Sequence, residues 1–317
     1  MKVSSLLTHF PPPRFLVMDH AGLEISDDSI RCISFVQTMQ GMRIGEYASI
    51  EIPPGIIEAG DIKDEIEFKR ILKEFAIAHD LSHVKVSIPE EKAYMFQTDV
   101  PSFDPRIATQ NIEFKFEENV PLAASAAVFY FDYVPRTDMP GPIYTSVSVV
   151  PRSYIDNYIS LLGEVGLIPI AFEIVPTAVA RAIGSGHESA TELIVHSMKR
   201  KTGIYIISGG SVMFTSTIAH ESGLSDQEYA NFLTKEVARI NSYWMSRNAA
   251  HGTIGKMILV GDRVSGYQAL ILKNEIPQVE VGDVWKHVLN VQHYTPPLSN
   301  QESLSYVVAA GLAIELS

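Results

Sequence analysis

A single cysteine, Cys32, stands in 317 residues, so no disulfide can form within the chain and its stability has to come from packing. Apolar runs are short. None approaches the ~18 residues that a membrane-spanning helix needs, and the opening MKVSSLLTHFPPP offers one lysine and a very short apolar stretch, too little for a secretory signal. Positive charge is scarce as well: 25 Lys and Arg face 37 Asp and Glu, a net charge of -12, with no polybasic tract to hold nucleic acid or anionic lipid. GxSxG, GxxxxGK[ST] and CxxC patterns are all missing, which removes local support for hydrolase, P-loop and zinc chemistry. These absences make a globular protein of the reducing cytoplasm, without a nucleic-acid partner, the expectation.

What is present is a layered α/β pattern. With 46% hydrophobic residues the chain can bury two substantial cores, so two lobes are expected. Pro11 to Pro13 make a stiff arm before regular structure begins. From Ala21 a meander follows: AGLEIS, a turn at Asp27-Asp28-Ser29, IRCISFV, a Gln40-Gly41 turn, then MRIGEYASIEI. Asp64 to His79 reads as a helix with Phe68, Ile71, Leu72 and Phe75 on one face, and VKVSI from Val84 returns as a strand.

Between Pro89 and Pro151 the pattern becomes α+β. Asp104-Pro105 opens a helix to about Asn119, and AVFYFDYV and IYTSVSVV form a hairpin across the turn-rich RTDMPGP. Ser153 and Asp156 give a cap-like start to the next helix, whose Ile155, Tyr158, Ile159, Leu162 and Val165 predict an apolar stripe completing this small unit; Gly166 ends it. Leu167 to Ile174 is an apolar run that predicts a strand covered on both faces, and Pro176 opens a helix that Gly184 closes.

After Gly186 a second meander appears, ELIVHS, MKRK, GIYIIS, Gly209-Gly210 and SVMFTSTI, which suggests internal duplication. Ser225 with Glu228 caps a long helix buried through Tyr229, Leu233, Val237, Ile240 and Trp244. The buried strand KMILVG, a helix near 264 to 273, the strand QVEV and a small-residue helix at 303 to 314 follow.

Two meanders, each followed by helices, with a small insert in the first half, outline the actin-like (ribonuclease H-like) fold, an α/β duplication. Residues 21–86 and 168–187 would form the first lobe, 87–167 the inserted α+β unit and 188–317 a reduced second lobe, behind an arm at 1–20. The segments FPPPRFL, GLEISDDSIR, EIPPGIIEAGDIKD, VSIPEEKAYMF, VVPRSYIDNYISLLGEVGLIPIAFEIVPTAVARAI and YVVAAGLAIE resemble the PilM family of type IV pilus assembly proteins, relatives of the division protein FtsA. The resemblance implies a scaffold at the inner face of the cytoplasmic membrane. It would bind the N-terminal cytoplasmic peptide of a PilN-like membrane protein, alongside other pilus platform proteins. It also places the groove between the first lobe and the insert, near Ser87 to Tyr94 and Val165 to Ile174. An FtsA-like division role fits less well, because FtsA-type proteins carry a C-terminal amphipathic membrane helix and this sequence stops at YVVAAGLAIELS.

The resemblance also implies phosphate loops, and here they depart from the pattern. Where an Asp-x-Gly turn would hold nucleotide and metal, the first loop reads Glu24-Ile25-Ser26 and the second His196-Ser197-Met198. The third site, a Gly-Gly pair in the family, is Gly261-Asp262-Arg263, and the stretch from Thr217 to Ser225 is too short for the subdomain that covers the adenosine. The expectation is a pseudo-ATPase without catalytic residues, metal or cofactor, with Glu24, Ser26, His196, Ser197, Met198, Gly261 and Asp262 as vestigial positions. ATP and Mg would enter only if the chain were an active ATPase regulating assembly. Glu24 is expected to be structural and His196 a polar strand-end residue, since a neutral imidazole is a poor Mg²⁺ ligand. The His79/His83 pair is expected at the surface, MKRK as a solvated turn, and Gly209-Gly210 as turn chemistry.

Overall fold

The computed structural model describes residues 19–134, 143–184, 191–221, 223–247, 252–270 and 276–314. The first meander comprises β1 (Ala21–Ile25), β2 (Ser29–Thr38) and β3 (Gly41–Glu51). A two-stranded β4 (Ile57–Glu58) and β5 (Asp61–Ile62) leads to helix α1 (Glu65–Ala78), capped by the Asp64 carboxylate accepting from the Glu67 N–H. Phe68, Ile71, Leu72 and Phe75 are its buried face, as their spacing requires. Strand β6 (His83–Ile88) then returns beside β1.

The insert holds one strand more than the hairpin expected. Strand β7 (Tyr94–Val100) precedes helices α2 (Pro105–Phe114) and α3 (Phe116–Asn119), and β8 (Ala127–Val134) and β9 (Ile143–Pro151) follow. The sheet runs β7-β9-β8, and Phe96, Val147, Val149, Ala108, Ile112 and Phe116 form a core of its own. The RTDMPGP turn lies outside the described residues.

Helix α4 (Arg152–Glu164) departs from its expected role and phase. Pro151 stands at its N-cap without a side-chain cap, so Ser153 caps nothing. Its buried Tyr158, Leu161 and Leu162, with Val165 after them, pack into the first-lobe core beside Leu23, Phe68 and Val86 rather than into the insert. Ile159 is left 48% exposed, because the stripe runs one position away from the one that Ile155 and Ile159 would have set.

Strand β10 (Ile168–Ile174) and helix α5 (Val175–Ile183) complete the first lobe, whose sheet order is β3-β2-β1-β6-β10. The apolar run in β10 is therefore an edge strand, and most of its residues are only half-buried or exposed, a correction to the expectation of cover on both faces.

The second lobe repeats the plan. Strands β11 (Thr191–Ser197), β12 (Lys201–Ser208) and β13 (Ser211–Ala219) form the meander, α6 (Asp226–Arg247) is the long helix, and β14 (Lys256–Gly261) and β15 (Gln278–Val281) follow, with the short α7 (Val264–Tyr267) between them. Its order, β13-β12-β11-β14-β15, matches the first sheet strand for strand, two antiparallel steps and then two parallel ones. The helix near 264 to 273 is described only to Leu270. Helix α8 (Asn300–Ser303) and the wholly buried α9 (Val307–Ala313) end the described chain. Helix α9 crosses α5 at Gly311, where a Cβ would run into the Ala178 carbonyl, and lies on β1 at Gly22, where a Cβ would meet the Ala309 carbonyl.

Candidate functional site

Two crevices separate the units. The first lies between the lobes, where the loop positions singled out in the sequence converge. Glu24 sits at the end of β1 directly across from Arg31 on β2, and it is 3% exposed. Arg31 Nη1 stands 3.9 Å from Glu24 Oε2, while Nη2 donates to both oxygens of Asp262 from the other lobe, at 3.1 and 3.2 Å. One guanidinium thus joins the two lobes. Burial pushes the Glu24 carboxyl up to about 7 against the pull of Arg31, with Asp262 adding repulsion.

His196 and Ser197 end β11 beside Val260 and Gly261 of β14. The imidazole is 3% exposed, its Nδ1 lies 3.4 Å from the Tyr205 hydroxyl, and burial drives its value down to about 4. Ser197 Oγ is hydrogen-bonded to the Tyr267 hydroxyl. Gly261 has φ +100°, and a Cβ there would collide with the Ser197 backbone, so close packing alone requires this glycine.

The loop N–H groups are engaged within the protein. Asp262 N donates to the Ser197 carbonyl at 2.8 Å, Met198 N to the Lys201 carbonyl at 3.0 Å and Ser26 N to the Ser29 carbonyl at 2.9 Å. Ser26 Oγ accepts from the Ser29 N–H, closing its own turn.

The MKRK turn keeps Lys199 exposed and Arg200 partly exposed, as its sequence suggests, but its charges are also paired. Arg200 donates to Asp28 at 2.7 Å, Lys201 pairs with Glu91 at 2.5 Å and Lys199 with Glu51 at 3.4 Å, so the basic turn of one lobe is tied to acidic groups of the other. Next to them Glu90, 8% exposed, accepts from the Tyr205 and Thr217 hydroxyls at 3.0 and 2.7 Å. The VSIPEEKAYMF segment is therefore a joint: Ser87 Oγ accepts from the Ile25 N–H, Glu90 and Glu91 reach the second lobe, and Lys92 pairs with Asp61. Sequence reasoning missed Arg31, Asp28 and this glutamate pair. The opposed register of Glu24 and Arg31 across one hairpin was the available signal.

His79 Nδ1 contacts Glu46 Oε1 at 2.7 Å, and among the described residues no group of three or more His, Cys, Asp or Glu is arranged to hold a metal ion.

The second crevice is a groove of about 760 Å³, lined by α5 through Thr177 and Ala180 and bounded by three further walls. Edge strand β10 supplies Ala171, Phe172 and Ile174. The insert supplies Val128, Phe129 and Tyr130 of β8 and Val150 of β9; Phe129 also packs, with Phe131, against the insert core. The third wall, unforeseen from sequence, is the β12–β13 hairpin of the second lobe, through Gly209, Gly210 and Val212. Gly209 and Gly210 have φ +60° and +79°, so the pair does the expected work of a tight turn and also lines the groove.

Of the segment Ser87 to Tyr94 only Ile88 lines this cavity. Its polar rim holds the Glu173–Arg181 pair, with Arg181 also donating to the Gly311 carbonyl at 2.8 Å. Asp132 accepts from the Tyr130 hydroxyl at 3.0 Å and is raised from its ordinary value by burial.

Two sheets of identical order, each begun by a meander, with an α+β insert in the first lobe, define an actin-like fold. Among solved structures the chain is similar to one described as a PilM-PilN type IV pilus biogenesis complex, at 16% identity and TM-score 0.75 over 93% of this chain and 98% of the other. It is also similar to the cytoplasmic domain of EpsL, an inner membrane component of the type II secretion system of Vibrio cholerae, at 11% identity and TM-score 0.50 over 92% and 94%. A protein of actin-like ATPase fold and unknown function from Bacteroides thetaiotaomicron matches at 10% identity and TM-score 0.46 over 83% and 90%. No family model matches the sequence, and no curated protein matches it.

Proposed function

We propose that this chain is a scaffold of a type IV pilus assembly platform, whose three-walled groove binds the short cytoplasmic tail of a PilN-like inner-membrane protein without ATP hydrolysis. The observation that carries the reading is the groove. An open, largely apolar trough bounded by the edge strand β10 can take an extended peptide through apolar anchors and free strand-edge groups. The likeness to the PilM-PilN complex extends over nearly all of both chains and agrees with it. Attachment to the membrane would then run through the partner, for no described helix is long and apolar enough to cross a bilayer.

The cleft supports the non-catalytic half of the reading. A magnesium–nucleotide needs several hard oxygens around the metal and free N–H groups around the phosphates. Here Arg31 fills the space between Glu24 and Asp262, the loop N–H groups donate to carbonyls, and a neutral imidazole stands at His196. The residues do not fit that group.

Titrating a labelled tail peptide from the accompanying PilN-like protein tests the first half. Ala171→Trp, at an exposed position on the groove wall, is expected to abolish binding, and unchanged affinity would place the site elsewhere. For the second half, ATP turnover that disappears in Glu24→Ala would overturn the pseudo-ATPase reading.

A further inference from the structure

The groove and the interlobe cleft are built on the same hairpin. Its tip, Gly209 to Val212, is the third wall of the groove. Its flanks carry Lys201, Tyr205 and Thr217, which hold Glu91 and Glu90 in the joint where the chain leaves β6 for the insert. The insert then grips the same hairpin from the groove side, with Ser146 Oγ donating to the Val212 carbonyl at 2.6 Å and Gln97 Nε2 to the Met213 carbonyl. Further out, Arg200 with Asp28 and Arg31 with Asp262 draw the lobes together. Asp28, Arg31, Glu90, Glu91, Arg200 and Lys201 all lie outside the groove lining, and each pairs across the junction that carries its third wall.

We infer that this belt of cross-cleft pairs is a positioning device for partner binding: the groove grips its peptide only in the arrangement in which the belt draws the second-lobe hairpin against the insert. The inference rests on the groove being the peptide site. A peptide that touches all three walls binds the drawn-in arrangement better than any in which the hairpin has swung away, and its affinity falls by the fraction of molecules that leave it. Coupling is reciprocal, so the bound peptide also holds the belt shut. In this chain, fixed side chains thus do what a ligand between the lobes could do elsewhere, and the setting is permanent unless salt or a competing charge loosens it.

The test uses the full chain and the labelled tail peptide. Arg200→Asp puts like charges opposite each other at the belt and is expected to weaken binding roughly tenfold, although Arg200 touches no groove residue. The exchange Asp28→Arg with Arg200→Asp restores an opposed pair and should return affinity to within about threefold of the parent. High salt should weaken the parent more than Arg200→Asp. Amide exchange across β13 should slow on peptide addition in the parent.

Arg200 is 42% exposed at its side chain, so the variant is expected to fold, and its melting curve checks this. If it does not fold, Asp28→Asn gives the same reading at smaller amplitude. Parent-like affinity in Arg200→Asp, alongside abolished binding in Ala171→Trp, would overturn the coupling and leave the groove reading intact. Parent-like affinity in Ala171→Trp would overturn both.

Discussion

The two crevices of this molecule are treated in opposite ways. The cleft between the lobes is filled with charge: Arg31, Arg200, Lys201, Asp28, Glu91 and Asp262 face one another across it, and Glu24 and His196 are buried behind them. The groove between insert and lobes is lined by Val128, Phe172 and Val150 and keeps its volume open. Ion pairs close a gap only when both partners are held in register, whereas apolar walls gain most from an occupant that removes them from water. The difference teaches that one fold can join its units by paired charge at one junction and leave an open apolar trough at another.

The comparison breaks most sharply at Arg31. Arg31→Ala removes two charge-assisted hydrogen bonds to Asp262 and the packing of a largely buried stem, and a loss of about 3 kcal/mol in a denaturant melt is expected. Adding Glu24→Gln to that variant should return little of the loss near neutral pH, because without the cation Glu24, already raised to about 7, takes up a proton instead of staying charged.

Next in size is the pH response of the cleft. Glu24 is raised from 4.5 to about 7, so the fold holds its proton more tightly than the unfolded chain does. Its stabilising contribution is complete below 4.5 and is lost as the pH rises through 7. His196 is lowered from 6.5 to about 4, so its contribution is present above 6.5 and is lost as the pH falls through 4. The two slopes oppose each other where they overlap. Glu24→Gln should stabilise the protein by about 3 kcal/mol at pH 8, with almost no gain near pH 4 and a stability that now climbs with pH between the His196 values. Melts across that range check it.

Smaller still is the groove. Tyr130, 62% exposed, can be cut to alanine without core cost, and a loss of about 1.5 kcal/mol in tail affinity with an unchanged melting temperature is expected. The smallest effect sharpens the contrast from the other side. MgATP should leave the melting temperature unchanged to within about 1 °C, whereas the tail peptide should raise it.

Much of this architecture was legible in the residues. The meanders, the Ser225 cap, the buried face of α1 and the Tyr229-to-Trp244 stripe of α6 follow from period and capping chemistry, because each is decided within a few turns of chain. The departures share a cause: each depends on a partner far away in sequence. β10 reads as a buried strand because apolar content does not say whether the cover is protein or an open groove. α4 reads as part of the insert because Ile155 and Ile159 look as apolar as Leu161, and only the first-lobe core chooses between them. MKRK reads as a solvated turn, and only the fold brings Asp28, Glu51 and Glu91 to it from the first-lobe side of the cleft. Of the loop positions, Glu24, His196 and Asp262 were visible as departures from a pattern. Arg31, which turns that departure into a bridge, carried no mark beyond its register opposite Glu24.

The packing of α9 has a consequence for how the chain reaches this state. Val307 to Ala313 cover β1 and α5, and the backbone contacts of Gly22 with Ala309 and of Gly311 with Ala178 join segments far apart in the sequence. During synthesis the first lobe therefore emerges with one sheet face bare and waits for nearly the whole chain before that face is covered. Contacts of such long separation slow folding and lengthen the time in which apolar surface is open to misassociation. A chaperone that shields apolar surface would act on the first lobe in that interval.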